Sequence, residues 1–197
     1  MTTAFVLGNG ISRQQISLTV LQQHGKIYGC NALYREFTPE VLVATDRPIA
    51  AYIQESGYAK INRFYTRRPV AESGAVTVPA KYFGYSSGPI AISIAAQDLH
   101  SPVYLLGFDL GPNSENKFNN VYAGTQFYKT QGATPTFTGN WIKQIITVIQ
   151  DHNRIKFIRL CGPTTARIPQ LENIQNLDHL DITTFLDRIN SKKGLPL

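Results

Sequence analysis

The opening of the chain constrains its fold more than any other segment. Ala4-Phe-Val-Leu7 is a short, continuous apolar run of the kind a buried parallel strand shows. Gly8-Asn9-Gly10 follows at once, and Ser12-Arg-Gln-Gln15 has the form of a capping box, with a Ser N-cap and Gln at the third helical position. Ile16, Val20 and Leu21 continue as an apolar stripe, and Gly25 is a fitting stop. Asn-Gly also suits a hairpin turn, but no strand comes next. The unit is therefore strand, glycine turn, helix.

The alternation continues along the chain. Ile27-Tyr28-Gly29 reads as a second strand ending at Cys30-Asn31, and Val41-Leu-Val-Ala44 as a third ending at Thr45-Asp46-Arg47. Pro48 fits a first helical turn, where its missing N–H is tolerated. Ile49, Tyr52 and Ile53 follow at helical spacing up to Gly57. Lys60 to Pro79 reads as short strands with a basic loop. Ser86-Ser87-Gly88-Pro89 opens an Ala-rich helix, and Val103-Tyr-Leu-Leu106 is a strand ending in Gly107-Phe108-Asp109. Residues 111–136 carry no periodicity, and so long a loop in a compact domain is usually functional or disordered. Ile142, Ile145, Ile146 and Ile149 then mark an amphipathic helix. Lys156 to Leu160 reads as the final strand, ending at Cys161-Gly162, and Ile182, Phe185, Leu186 and Ile189 as a C-terminal helix. Strands alternating with helices predict an α/β fold with a mostly parallel sheet. The 197 residues are expected to form a single domain with a long loop or lid at about 111–136.

Composition narrows the partners. At 43% hydrophobic the chain can bury a core, which argues against disorder. No apolar run reaches the roughly 18–20 residues of a membrane span. The N-terminus has no basic region before its apolar stretch, as a signal peptide would. Two cysteines and no glycosylation sequon point to a cytoplasmic protein with reduced thiols. The net charge of +6 calls for an anionic partner: nucleic acid, a membrane surface or a phosphorylated small molecule. The local cluster Lys60, Arg63, Arg67 and Arg68 stands without a basic helix or tail, so specific nucleic-acid binding is not expected.

Ligands of open α/β sheets bind outside the carboxyl ends of the strands. Those ends carry Gly8-Asn9-Gly10, Cys30-Asn31, Thr45-Asp46, Gly107–Asp109 and Cys161-Gly162, and the Ser86-Ser87-Gly88 helix start should face them. A glycine turn before a helix is a ready anion site, or simply a tight turn. Asp46 and Asp109 are candidates for a general base or a ribose contact; alternatively one caps a helix and the other fixes a turn. Tyr122, Phe127 and Tyr128 can stack on a base, donate to phosphate, or merely pack the loop. His24, His100 and His152 each fall at a helix end before a strand, on the far edge of the sheet, and His179 is unplaced. The scattered Cys and His show no zinc spacing, so neither metal nor cofactor is expected.

These motifs, in order, resemble a known group. Phe5-Val-Leu-Gly-Asn-Gly-Ile-Ser12 is similar to the Gly-Asn-Gly-Pro-Ser opening of the bacterial family 42 sialyltransferases, and Gly29-Cys-Asn31 to their Cys-Asn strand end. Ser86 to Ala96, Val103 to Leu110 and Leu160-Cys161 resemble their Ser-Gly helix, Gly-x-Asp-hydrophobic turn and late strand. Pro39-Glu-Val-Leu-Val-Ala-Thr-Asp46 resembles the related motility accessory factor group, which includes the 6-hydroxymethylpterin pyrophosphokinases. The resemblance implies a Rossmann-like three-layer α/β/α sandwich that binds a nucleotide or sugar nucleotide, of cytidine type in the sialyltransferases. Carried over by position, Asn9, Asn31, Ser87 and Gly88 would contact it, with Tyr122 and Tyr128 on the phosphate; Gly8, Gly10 and Ser12 of the glycine turn and helix start complete the expected binding set. Asp46 and Asp109 are left as the catalytic candidates. Ile11 replaces the motif's Pro, and Thr136–Asn140 has no histidine where the family places its catalytic one. The expected function is thus glycosyltransferase-like, with a non-catalytic nucleotide-binding module as the alternative.

Overall fold

A computed structural model of the chain describes residues 2–191. The strands are β1 (Ala4–Leu7), β2 (Lys26–Cys30), β3 (Val41–Val43), β4 (Phe64–Thr66), β5 (Val76–Thr77), β6 (Val103–Leu106), β7 (Phe157–Cys161) and β8 (Leu177–Asp181). The helices are α1 (Leu18–Gln22), α2 (Arg47–Glu55), α3 (Ser87–Gln97), α4 (Gly139–Asp151) and α5 (Ile182–Asn190). All eight strands join one sheet in the order β5-β4-β3-β2-β1-β6-β7-β8, and every neighbouring pair is parallel. The order reverses at β1, so the crevice expected of such sheets opens between the ends of β1 and β6.

Alternation along the strands sorts the core into two layers. Ala4, Val6, Val43, Val103, Leu105 and Phe157 pack with α3 and α4 on one face. Phe5, Leu7, Leu42, Tyr104, Leu106 and Ile158 pack with α1, α2 and α5 on the other. All four residues of β1 are buried, which is why it reads as an unbroken apolar run. The chain therefore has the three-layer, Rossmann-like architecture expected from its sequence.

Two expectations need correction. The helix anticipated from Ser12 is broken: Ile11–Gln15 forms a 3-10 turn, Ile16 is extended (φ −127°), and α1 starts only at Leu18. Ser12 is buried and its hydroxyl is bound to Asp109, so it does not cap. The strand at residues 156–160 is also not the last. β8 follows as an edge strand, and its half-exposed sequence Leu-Asp-His-Leu-Asp lacks the apolar run that marks the interior strands. Residues 111–136 hold no helix or strand, yet they are pinned to the body: Val121 N–H donates to the Asn9 carbonyl at 2.8 Å and Asn119 Oδ1 accepts from Ile11 N–H at 2.9 Å. No helix among the described residues is long and apolar enough to cross a membrane.

Candidate functional site

Strand order sets out the site. Across the carboxyl edge the ends of β4, β3, β2, β1 and β6 lie side by side and bring Arg67, Asp46, Asn31, Gly8–Gly10 and Gly107–Gly111 to one cavity of about 360 Å³. The starts of α3 and α4 close it, with Ser87 and Gly88 on one and Thr138 and Trp141 on the other, and the long loop adds Phe118, Phe127, Tyr128 and Lys129. The size suits a small-molecule ligand. Of the residues expected at the site, Gly8, Asn9, Gly10, Asn31, Asp46, Ser87, Gly88, Asp109 and Tyr128 line the cavity; Ser12 and Tyr122 do not.

The glycine turn is not the open anion cradle its sequence suggests. The N–H of Gly8 donates to Leu106 O and that of Gly10 to Gly107 O, both at 2.8 Å. Ile11 N–H donates to Asn119 Oδ1 and Ser12 N–H to Asp109 Oδ2. The glycines serve close packing instead. A Cβ on Gly8 would lie 2.4 Å from the Gly107 carbonyl oxygen, and one on Gly10 2.5 Å from Asp109 Cγ. Free donors lie at the helix starts. Ser87 and Gly88 of α3 have first-turn N–H groups without an acceptor among the described residues, as do Gly139, Asn140 and Trp141 of α4. Both helix dipoles add positive potential there.

Asp109 is the hub of the β1–β6 junction. Its carboxylate is 3% exposed and accepts from Ser12 N–H, the Ser12 hydroxyl, Asn119 Nδ2 (3.1 Å), Thr164 Oγ1 (2.8 Å) and Thr165 Oγ1 (3.3 Å). Beneath it, buried Arg159 donates to the carbonyls of Phe108, Asp109 and Ala166. Burial draws the Arg159 pKa down, opposed by nearby acidic groups that include Asp109.

Asp46 differs. It is exposed at the N-cap position of α2 (φ −75°, ψ 124°), but its side chain makes no capping bond and no ion pair among the described residues. Beside it, the Ser87 hydroxyl stitches three elements together. It accepts from Thr45 N–H at 3.0 Å and donates to Asn31 Oδ1 at 3.0 Å. Asn31 holds a left-handed backbone (φ 54°), which asparagine tolerates better than most residues.

The two loop tyrosines have separate fates. Tyr128 Oη accepts from Asn9 Nδ2 (3.4 Å) and Ala32 N–H (3.3 Å), leaving its own hydrogen without an acceptor among the described residues. Burial raises its pKa, so the phenol stays protonated. Tyr122 is turned inward. It accepts from Arg13 Nη2 at 2.8 Å and donates to Glu36, so it braces the loop rather than facing a ligand. Cys30 lines the cavity, but burial pushes its thiol up to about 12, which leaves it unreactive at neutral pH.

Several lining residues escaped the sequence reading. Arg67 ties the end of β4 to the carbonyls of Phe83, Gly84 and Tyr85, which positions the start of α3. Arg63, its companion in the basic cluster, lies at the opposite edge and pairs with Asp98 at 2.9 Å. Trp141 and Ile145 have the i, i+4 spacing of a core stripe, so nothing in the sequence separates them from core. With Phe108, Leu110 and Phe118 they make one end of the cavity apolar. His100 is buried against Tyr28 and Thr2 at the far edge, His152 follows α4, and His179 sits on β8; no histidine lines the cavity. No group of three His, Cys, Asp or Glu among the described residues is placed to hold a metal ion.

No family model and no curated protein matches the chain. Among solved structures it is similar to a MAf glycosyltransferase from Magnetospirillum magneticum AMB-1, with a TM-score of 0.52 and 18% identity. The match covers 91% of this chain and 33% of the other, so the chain spans about a third of the length of that structure. At this identity the likeness is one of fold, on the motility accessory factor side of the resemblance seen in the sequence: the chain has a glycosyltransferase-like α/β fold.

Proposed function

We propose that the cavity binds a sugar nucleotide, of the cytidine type found in the family 42 sialyltransferases, and that the protein transfers its sugar to an acceptor hydroxyl. The observation that carries this reading is the cavity's division along the sheet edge. Its β6–α4 end is apolar and aromatic, its middle offers N–H donors without an acceptor among the described residues, and its β2–β4 end carries Asn31, Arg67 and the exposed carboxylate of Asp46, with Phe127 at the rim. A nucleobase suits the first, lying against Phe108, Phe118 and Trp141. A phosphate suits the second, between the N–H groups of Ser87 and Gly88 and the Tyr128 hydroxyl. The sugar then extends toward Asn31 and Asp46.

In this reading the acceptor oxygen attacks the anomeric carbon, the bond from that carbon to the phosphate oxygen breaks, and Asp46 takes the acceptor's proton. The departing phosphate keeps its charge against donors already in place. Asp109 holds the glycine turn against β6. The test is release of cytidine monophosphate from a cytidine sugar nucleotide, with and without acceptor. Acceptor-dependent release that Asp46→Asn abolishes, with nucleotide binding kept, supports the reading. Unchanged release in that variant refutes the assignment of Asp46.

A second reading, a nucleotide-binding module without turnover, is favoured by one observation: no imidazole lines the cavity. It predicts nucleotide binding with no release of cytidine monophosphate above the uncatalysed rate.

A further inference from the structure

The mouth of the cavity beside Asp46 carries an unusual arrangement. Phe127 lines the cavity, is 39% exposed and has φ 73°, a left-handed conformation that a bulky aromatic residue adopts only under constraint. The constraint is visible. Arg35 donates to Thr125 Oγ1 at 3.1 Å and to the Gln126 carbonyl at 3.2 Å, and its guanidinium lies 5.9 Å from the Phe127 ring centre. On the other side Tyr52 of α2, 45% exposed, meets Phe127 edge-on at 5.7 Å. Tyr52 lies six residues beyond Asp46, about 9 Å along the helix axis. The two rings thus form a half-exposed aromatic pair, of which Phe127 lines the cavity together with Asp46.

Charge adds a second, independent observation. Arg35 and Arg47, which flank the aromatic pair and Asp46, form no ion pair among the described residues.

We propose that Phe127 and Tyr52 form the acceptor seat and that the acceptor is a saccharide bearing a carboxylate. This rests on the sugar-transfer reading of the cavity. A pyranose presents a face of C–H bonds that stacks on aromatic rings, and its hydroxyls stay free to reach Asp46. The carboxylate is met by Arg47, or by the N–H groups that Arg35 does not spend on Thr125 and Gln126, since guanidinium groups pair with carboxylates through hydrogen bonds.

The test is saturation-transfer NMR on the full chain with digalacturonic acid and neutral galactobiose, with and without cytidine monophosphate. The expected result is binding of digalacturonic acid at least tenfold tighter than galactobiose. Phe127→Gly keeps the left-handed backbone without strain and removes only the ring. It should weaken binding at least tenfold, as should Tyr52→Ala. Ile61→Ala removes an exposed apolar side chain just before β4, at the opposite edge of the sheet, and should change binding less than twofold. Equal affinity for the two disaccharides, or binding that survives both ring deletions, overturns the proposal. So does preferential binding of phosphatidylglycerol vesicles or an acidic peptide. If cytidine monophosphate raises the melting temperature but neither disaccharide binds, the seat is refuted and the donor reading stands. If digalacturonic acid binds as expected and no nucleotide does, the seat stands and the donor reading fails.

Discussion

At the end of β6 Asp109 is 3% exposed and receives five hydrogen bonds; three strands away, at the end of β3, Asp46 stands exposed and its side chain receives none among the described residues. Both follow a short apolar strand, and both line the same cavity. The difference lies in the neighbours. Asp109 sits where the sheet order reverses, so the ends of β1 and β6 and residues 164–165 must be tied together there, and its carboxylate is consumed in doing so. Asp46 sits where a strand passes directly into α2, and no tie is required. Position along a sheet edge, rather than residue type, decides which acid holds the fold and which is free to react.

Turnover should separate the two sites most. Asp46→Asn is expected to lower transfer about 10²–10⁴-fold, the usual share of a general base, in a protein that unfolds as the parent does. A loss of less than tenfold in a steady-state assay with sugar nucleotide and acceptor breaks the comparison.

Stability should separate them in the opposite sense. Asp109→Ala strands several buried donors and is expected to cost about 3 kcal/mol or more, read from urea unfolding. Asp46→Ala, exposed and unbonded, should stay within about 0.5 kcal/mol. Equal costs would mean that the hydrogen bonds around Asp109 are not what holds the junction.

Ser12 sharpens the same point at smaller scale. Ser12→Ala should cost about 1–2 kcal/mol through its lost bond to Asp109. Gln15→Ala should cost nothing measurable, because no capping box forms. A cost for Gln15→Ala near that of Ser12→Ala would restore the capping reading.

The smallest effect lies at the far edge. The Asp98 carboxyl is raised by burial, but hydrogen bonds from Arg63 and Tyr28 outweigh this and hold its pKa below the ordinary value. A depressed carboxylate contributes stability above its unfolded pKa of about 3.9, and that contribution fades as pH falls through the lower folded value. Arg63 is partly exposed, so the contribution should be less than about 1 kcal/mol. Urea midpoints of the parent and Arg63→Gln should therefore differ at pH 6 and converge toward pH 2. A gap that persists at low pH would place the Arg63 contribution in packing.

The fold was legible because interior strands of a parallel sheet are buried on both faces and read as apolar runs, as β1, β3 and β6 do. β8 was not, since an edge strand half in solvent has no such run. The crevice was legible from strand ends alone, and nine of the eleven named residues do line it. What the sequence hid was the state of the hydrogen-bonding groups. Asp46 and Asp109 look alike in one dimension, and the N–H groups of Gly8 and Gly10 are occupied by Leu106 and Gly107, nearly a hundred residues away. Tyr122 and Tyr128 sit in one loop, yet only a partner at Arg13 and Glu36 turns the first inward.

If the cavity at the ends of β1 and β6 holds a nucleotide, the chain's one tryptophan, Trp141, which lines it, senses the ligand. Tryptophan emission during titration with cytidine monophosphate reads the site directly. A saturable change in emission is expected, accompanied by stabilisation of about 2.7 kcal/mol at a hundred times the dissociation constant. Unchanged emission and an unchanged melting temperature at millimolar nucleotide would contradict the nucleotide reading.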